Sequence, residues 1–191
     1  MVNNILIFLR HAETKVDRRV KNSEWSLTDK GKLDALDIAK FNFFEDIDLI
    51  IASAEEKAYK TIFPLAEKLK KKVLREAELN EIMRDHGKFL ETKEYLTTMR
   101  LCMMNRDQSF NNWETANNAL ERFSKKIEEI NGEHDDKKIL IVSHGCVINL
   151  YFAKILEKLN IVFNRAQTNT FCDYGIIQNK RVIKDIVKLQ Y

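Results

Sequence analysis

The sequence predicts one α/β domain whose central sheet is largely parallel. Three observations carry that expectation. The first is a set of short, continuous apolar runs, Ile5-Leu6-Ile7-Phe8-Leu9, Leu49-Ile50-Ile51-Ala52-Ser53 and Ile139-Leu140-Ile141-Val142. Runs of this length without polar alternation suit strands covered on both faces. The second is that stretches of helical periodicity separate these runs, the alternation expected of strands wound with crossover helices. The third is that the runs end in polar, chemistry-bearing residues, and in such sheets ligands bind beyond the carboxyl ends of the strands.

Taken in order, the strand at Ile5 to Leu9 is followed by Leu27-Thr28-Asp29-Lys30-Gly31, a helix start with Thr28 as N-cap. Its apolar face runs through Leu33, Leu36, Ile38 and Ala39 to about Phe43. After the second strand a helix is expected from Glu56 to Leu69, with Pro64 inside it as a source of a kink. Val73-Leu74 reads as a short third strand, and residues 91–104 and 114–130 as two more helices. The strand at Ile139 to Val142 leads into a helix from about Val147 to Leu159. Two last strands, near Thr170 to Ile177 and Val182 to Leu189, face each other across Gln178-Asn179-Lys180.

The chain has 191 residues, 45% of them hydrophobic and 32% charged, with a formal net charge of +3. This length suits one compact domain with its own core. Five glycines and one proline leave no flexible linker, repeat or low-complexity tract. The densest basic run, Lys70-Lys71-Lys72, reads as a solvated helix end and not as a nucleic-acid footprint. Cys102, Cys146 and Cys172 are odd in number and form no CxxC pair. Neither a zinc site nor a disulfide framework is expected, and a reduced, cytoplasmic compartment is. The apolar stretch near the start is too short to span a membrane and lacks the flanks of a signal peptide.

The residues that carry chemistry stand at the strand ends. The first strand runs into Arg10-His11-Ala12-Glu13-Thr14, and the fourth into Ser143-His144-Gly145. A single histidine at a strand end is ordinarily a satisfied polar residue. Two of them at the ends of one sheet, one beside an arginine, point to a shared crevice.

These segments resemble the signature of the histidine phosphatase superfamily, which includes the cofactor-dependent phosphoglycerate mutases. Arg10 to Thr14 match its Arg-His-Gly/Ala-Glu-Ser/Thr opening, and Ser143-His144-Gly145 its second hallmark. The segment from Leu27 to Gly31 is similar to its Leu-Thr-x-x-Gly helix start. Leu79-Asn80-Glu81 is similar to the segment bearing its acid, and Glu114-Thr115 with Arg122 to a Glu-Ser and Arg pair. The order is the family's and spans most of the chain.

The resemblance implies a phosphoglycerate mutase-like, three-layer α/β/α sandwich over residues 1–191, with a small helical lid inserted around 82–113. Tyr95, Met99, Arg100, Met103 and Met104 are the lid side chains that cover the pocket or pack in the core. The implied activity is that of a phosphatase acting on a phosphorylated small molecule or phosphoprotein. In it His11 attacks phosphorus and becomes phosphohistidine, while Glu81 serves as general acid and then base. Arg10, Thr14, Lys57, His144 and Gly145 surround the phosphoryl group, which asks mainly for positioning and cationic stabilisation. No metal and no cofactor are implied, nor any nucleic acid or membrane partner. A phosphoglycerate mutase and a non-catalytic phospholigand-binding module remain the alternatives.

The match breaks at three places, one of them the stretch between Glu81 and Gly87, which is longer than the family's. Ser53-Ala54-Glu55-Glu56-Lys57-Ala58-Tyr59-Lys60-Thr61 aligns with Ser-Pro-Leu-x-Arg-Ala-x-x-Thr, so Lys57 stands where the family has a clamping arginine. Lysine keeps the charge and loses the two-pronged hydrogen bonding. It either holds phosphate as a point charge or turns to solvent and leaves the pocket to borrow Arg18, Arg19 or Arg84. Asp17 stands where the family often has asparagine, and would repel a phosphate dianion if it faced the pocket. Glu13 either orients Arg10 or is an accessory carboxylate. His86 and His134 match nothing and read as loop residues.

Overall fold

The computed structural model describes residues 3–190. Among them, one six-stranded sheet is built from β1 (Ile5–Arg10), β2 (Leu49–Ser53), β3 (Val73–Glu76), β4 (Lys138–Ser143), β5 (Tyr174–Gln178) and β6 (Arg181–Val187). The strand order is β3-β2-β4-β1-β5-β6. The first four are mutually parallel, β5 is antiparallel to β1, and β6 is antiparallel to β5. The helices are α1 (Asp29–Lys40), α2 (Glu56–Leu69), α3 (Thr92–Met104), α4 (Ala116–Glu133), α5 (Gly145–Ile155) and α6 (Val162–Thr168). None of the described helices is long and apolar enough to cross a membrane.

Because side chains alternate along a strand, each strand feeds both faces of the sheet. Leu6, Phe8, Ile139 and Ile141 pack against Phe123 of α4 and Phe152 of α5. Ile7, Leu9, Leu140 and Val142 pack against Ile38 of α1 and Leu65 of α2. Two cores, one per face, explain why the strands read as continuous apolar runs and make the domain a three-layer sandwich.

Local chemistry sets the boundaries. Thr28 caps α1 through its side chain, which accepts from the Gly31 N–H. The helix stops at Lys40, short of the expected Phe43, and a 3-10 turn over Asn42–Phe44 then folds Phe44 wholly into the core. α2 runs through Pro64 and closes on Lys70 in the left-handed region, at φ 53°. β5 begins at Tyr174, later than expected. The Asp173 carboxylate accepts from the Thr170 N–H and hydroxyl, each at 2.7 Å, which holds residues 170–173 in a turn. The following hairpin turns on two residues, Asn179 and Lys180, at φ 50° and 59°, where three were expected. α5 ends at Ile155, and α6 is a helix the sequence pattern did not reveal.

Candidate active site

Three neighbouring strands, β2, β4 and β1, end at the same level. Arg10 lies opposite Ser143, and Ala52 opposite Val142. His144 and His11, which follow β4 and β1, therefore meet in one space beyond the sheet. β1 and β2 lead into α1 and α2 on one face of the sheet and β4 into α5 on the other, so the strand order reverses between β2 and β4.

The chain leaving β1 is tied down at each step. The His11 N–H donates to the Ser143 carbonyl at 2.9 Å, and the Ala12 N–H to the Thr61 hydroxyl at 2.9 Å. Gly31 packs against the same loop, since a Cβ there would lie 2.2 Å from the Glu13 carbonyl oxygen. The Glu13 carboxylate accepts from the Thr28 hydroxyl at 2.9 Å. Glu13 thus anchors the loop to the start of α1 and does not orient Arg10.

His11 and His144 meet as the two strand ends suggest, with ring centroids 5.0 Å apart. Nδ1 of His11 lies 2.8 Å from the Ala12 carbonyl oxygen, which can only accept, so Nδ1 carries the hydrogen and Nε2 the lone pair. Burial drives the His11 pKa well below its ordinary value, aided by His144, Arg10 and Lys57. His144 is fully buried beside the cavity, and its Nε2 lies 2.7 Å from the Ser53 hydroxyl. Burial and then Lys57 lower its pKa as well, against the opposing pull of Glu81.

Arg10 stacks over Phe171, 4.5 Å from the ring centre, and donates Nη1 to the Asn169 carbonyl at 3.1 Å. Its Nε and the Nδ1 of His144 are buried without a hydrogen-bond partner. Two unsatisfied buried nitrogens beside one imidazole mark a place for an acceptor that the protein does not itself provide. Gly145 admits the guanidinium, since a Cβ there would sit 3.1 Å from both Nε and Cζ of Arg10.

Glu81 arrives from the opposite side, after a 3-10 turn over Ala77–Leu79. Its carboxylate accepts from the N–H groups of Ile82 at 3.0 Å, Cys146 at 3.0 Å and Val147 at 3.2 Å. The last two belong to the first turn of α5, where backbone donors and the helix dipole favour an anion. Burial works to raise the Glu81 pKa. Arg84, His144 and the backbone donors outweigh it, so the pKa is lowered and the resting group is a carboxylate. The backbone behind Glu81 is held by Arg122, which grips the Glu114 carboxylate with two bonds of 2.8 Å. It also donates to the carbonyls of Glu78, Asn80 and Glu81.

Lys57 does not turn to solvent; it stands at the cavity wall with a counter-ion beside it. Only 3% exposed, it points inward, donates to the Asn22 carbonyl at 2.8 Å and pairs with the Glu55 carboxylate. Glu55 is the site residue that sequence reasoning missed. Besides Lys57, it accepts from the Glu81 N–H at 2.8 Å and lies 3.5 Å from Nε2 of His144. Its signal was an acidic residue at an apolar position of the aligned pattern, two before the replaced arginine. Asp17 does not line the cavity. Its carboxylate binds the Arg19 side chain at 2.9 and 2.7 Å, which holds its pKa far below the usual range.

These groups share the wall of a cavity of about 710 Å3. Arg10, His11, Thr14, Lys57, Glu81 and Gly145 all line it, so apart from buried His144 every expected site residue faces one space. Arg84 lines it too, with Nη1 2.7 Å from the Tyr95 hydroxyl and an upward-shifted pKa. Of the suggested lid side chains, Tyr95 and Met99 face the cavity, Met103 is buried, and Arg100 and Met104 are exposed.

No curated protein sequence matches the chain. Solved structures do. A mycobacterial glucosyl-3-phosphoglycerate phosphatase superimposes with a TM-score of 0.79 at 17% identity, covering 98% of this chain and 100% of that one. A phosphoserine phosphatase mutant from Entamoeba histolytica, in complex with phosphoserine, gives 0.77 at 16% identity over 96% of each chain. YhfR of Bacillus stearothermophilus gives 0.76 at 18% identity over 98% of each. At these identities the likeness is one of fold. In sequence, the profile of the histidine phosphatase superfamily (branch 1) matches residues 6–179, so the chain belongs to that superfamily.

Proposed function

We propose that the protein is a phosphatase that hydrolyses a phosphomonoester through a phosphohistidine on His11. The observation that carries this reading is the His11 imidazole itself: neutral, in cavity contact, with Nδ1 spent on the Ala12 carbonyl and Nε2 left as nucleophile. Nε2 attacks phosphorus, the ester oxygen departs, and Glu81 supplies its proton. Water then attacks the phosphohistidine, Glu81 takes its proton, and orthophosphate leaves with His11 restored. Arg10 Nε and His144 Nδ1 offer unpaired donors to the phosphoryl oxygens, and Lys57 and Arg84 add charge. Glu81 rests ionised, so a phosphate dianion arriving beside it raises its pKa, and the carboxylate takes up from solvent the proton that the first step needs.

The superfamily and the phosphatases among the fold neighbours support the same reading. The Glu55–Lys57 pair favours a second one, a phospholigand-binding site with little turnover, because it offsets one cation of the pocket. The two are separated by phosphate release from an aryl phosphate. The wild type is expected to release it and His11→Ala to lose the activity. Acid-labile label is expected on the wild type and, more heavily, on Glu81→Gln. Equal inertness of wild type and His11→Ala across a broad substrate panel would reject catalysis.

A further inference from the structure

The cavity is much larger than a phosphoryl group requires, and its two ends differ in character. Arg10, His11, Lys57 and Glu81 occupy one end. The remainder is walled by Val16, Trp25, Phe89, Tyr95, Leu96 and Trp113. Val16, Phe89 and Leu96 are 57%, 41% and 37% exposed although they face a cavity. Apolar surface concentrated in a concave site, rather than scattered singly, is the mark of a surface awaiting a ligand.

The cations near this apolar end already have partners. Arg18 pairs with Glu91 at 2.5 Å and lies over the Phe89 ring, 4.8 Å from its centre. Arg84 is bound to the Tyr95 hydroxyl and lies 5.5 Å from the Trp113 ring centre. Among the described residues that line the cavity, the remaining cation at this end is Lys88, which is exposed. A second carboxylate or phosphate on the substrate would meet an unpaired cation only at this exposed lysine, and elsewhere at this end would have to displace an existing partner. A flat apolar body would instead lie against the exposed apolar wall of Val16, Phe89 and Leu96, with the half-buried rings of Trp25 and Tyr95 beside it.

We infer that the site selects phosphomonoesters whose alcohol carries an aromatic body, over short phosphorylated acids. This rests on the proposed phosphatase reading, since it assigns the leaving group's place relative to His11. The test measures binding of phosphonates, whose carbon–phosphorus bond is not hydrolysed, by calorimetry on the wild type and on Phe89→Ser/Leu96→Asp. Both replaced residues are partly exposed, so the variant is expected to fold, with its thermal transition as control. The naphthylmethyl phosphonate is expected to bind about 10- to 100-fold tighter than methylphosphonate, the range one apolar contact set provides. The double variant is expected to lose most of that difference. Equal affinities, absence of phosphonate binding, or a preference intact in the variant would each overturn the inference. Turnover of naphthyl phosphate is read in parallel. Selective binding without turnover would uphold the aromatic site and reject the phosphatase.

Discussion

Glu55 and Lys57 form an ion pair inside the cavity wall, with side chains only 6% and 4% exposed. They occupy two positions of one aligned segment, and both depart from the superfamily pattern. Breaking a buried pair from one side is costly, because the charge left behind has lost both water and partner. Glu55→Gln is expected to lower stability by about 3 kcal/mol, measured by denaturant unfolding. The same change removes a negative charge beside the phosphoryl end. Added orthophosphate is therefore expected to raise the melting temperature more in Glu55→Gln than in the wild type.

The pair also decides what an arginine would do at position 57. In Lys57→Arg the guanidinium fork is expected to engage Glu55, and kcat/KM on an aryl phosphate to change by less than about threefold. Glu55→Leu/Lys57→Arg frees the fork for phosphate and is expected to gain roughly tenfold. A comparable gain in Lys57→Arg alone would show that Glu55 does not compete for the cation.

Both histidines are buried, and both have pKa values pushed well below 6.5. In the unfolded chain they take up protons near their ordinary pKa, while the folded chain resists doing so. Their contribution to stability is thus full above about pH 6.5 and is lost as the pH falls below it, at about 1.4 kcal/mol per unit of displacement. Stability measured from about pH 7.5 to pH 5 should fall on the acid side, and His144→Asn should flatten the curve.

Much of this was legible from the residues alone. β1, β2 and β4 announced themselves as unbroken apolar runs because two helical layers bury both faces. Thr28 and Gly31 could be read because a cap and a close backbone approach each demand particular residue types. Glu55 was illegible for a physical reason. A carboxylate is ordinarily solvated, and nothing local reveals that Lys57, the Glu81 N–H and His144 converge on it from three separate segments. α6 was missed because seven residues are too few for periodicity to show. The residues before β5 looked extended until the Asp173 carboxylate claimed them for a turn.

Arg122 does not itself line the cavity, yet it holds the carbonyls of Glu78, Asn80 and Glu81. Arg122→Ala is expected to reduce kcat by about tenfold or more through misplacement of the carboxylate, with KM little changed. Steady-state kinetics on an aryl phosphate separate the two parameters.

Asp17 is occupied with Arg19 and lies off the cavity wall. Asp17→Asn is expected to leave kcat/KM within about twofold, the ordinary range for a surface change. A large increase would mean that its carboxylate repels the substrate after all.

Arg84, Phe89, Tyr95, Leu96, Met99 and Trp113 all fall within residues 82–113, between the last turn before Glu81 and the start of α4. No strand of the sheet passes through that interval, while His11, His144 and Arg10 hang from β1 and β4. On the proposed reading, most of the wall that would meet the alcohol, Val16 and Trp25 apart, is thereby one uninterrupted cassette, distinct from the strand ends that would hold the phosphoryl group. If the proposed activity holds, swapping the cassette for a related one is expected to redirect it to a different ester without rebuilding the strand ends.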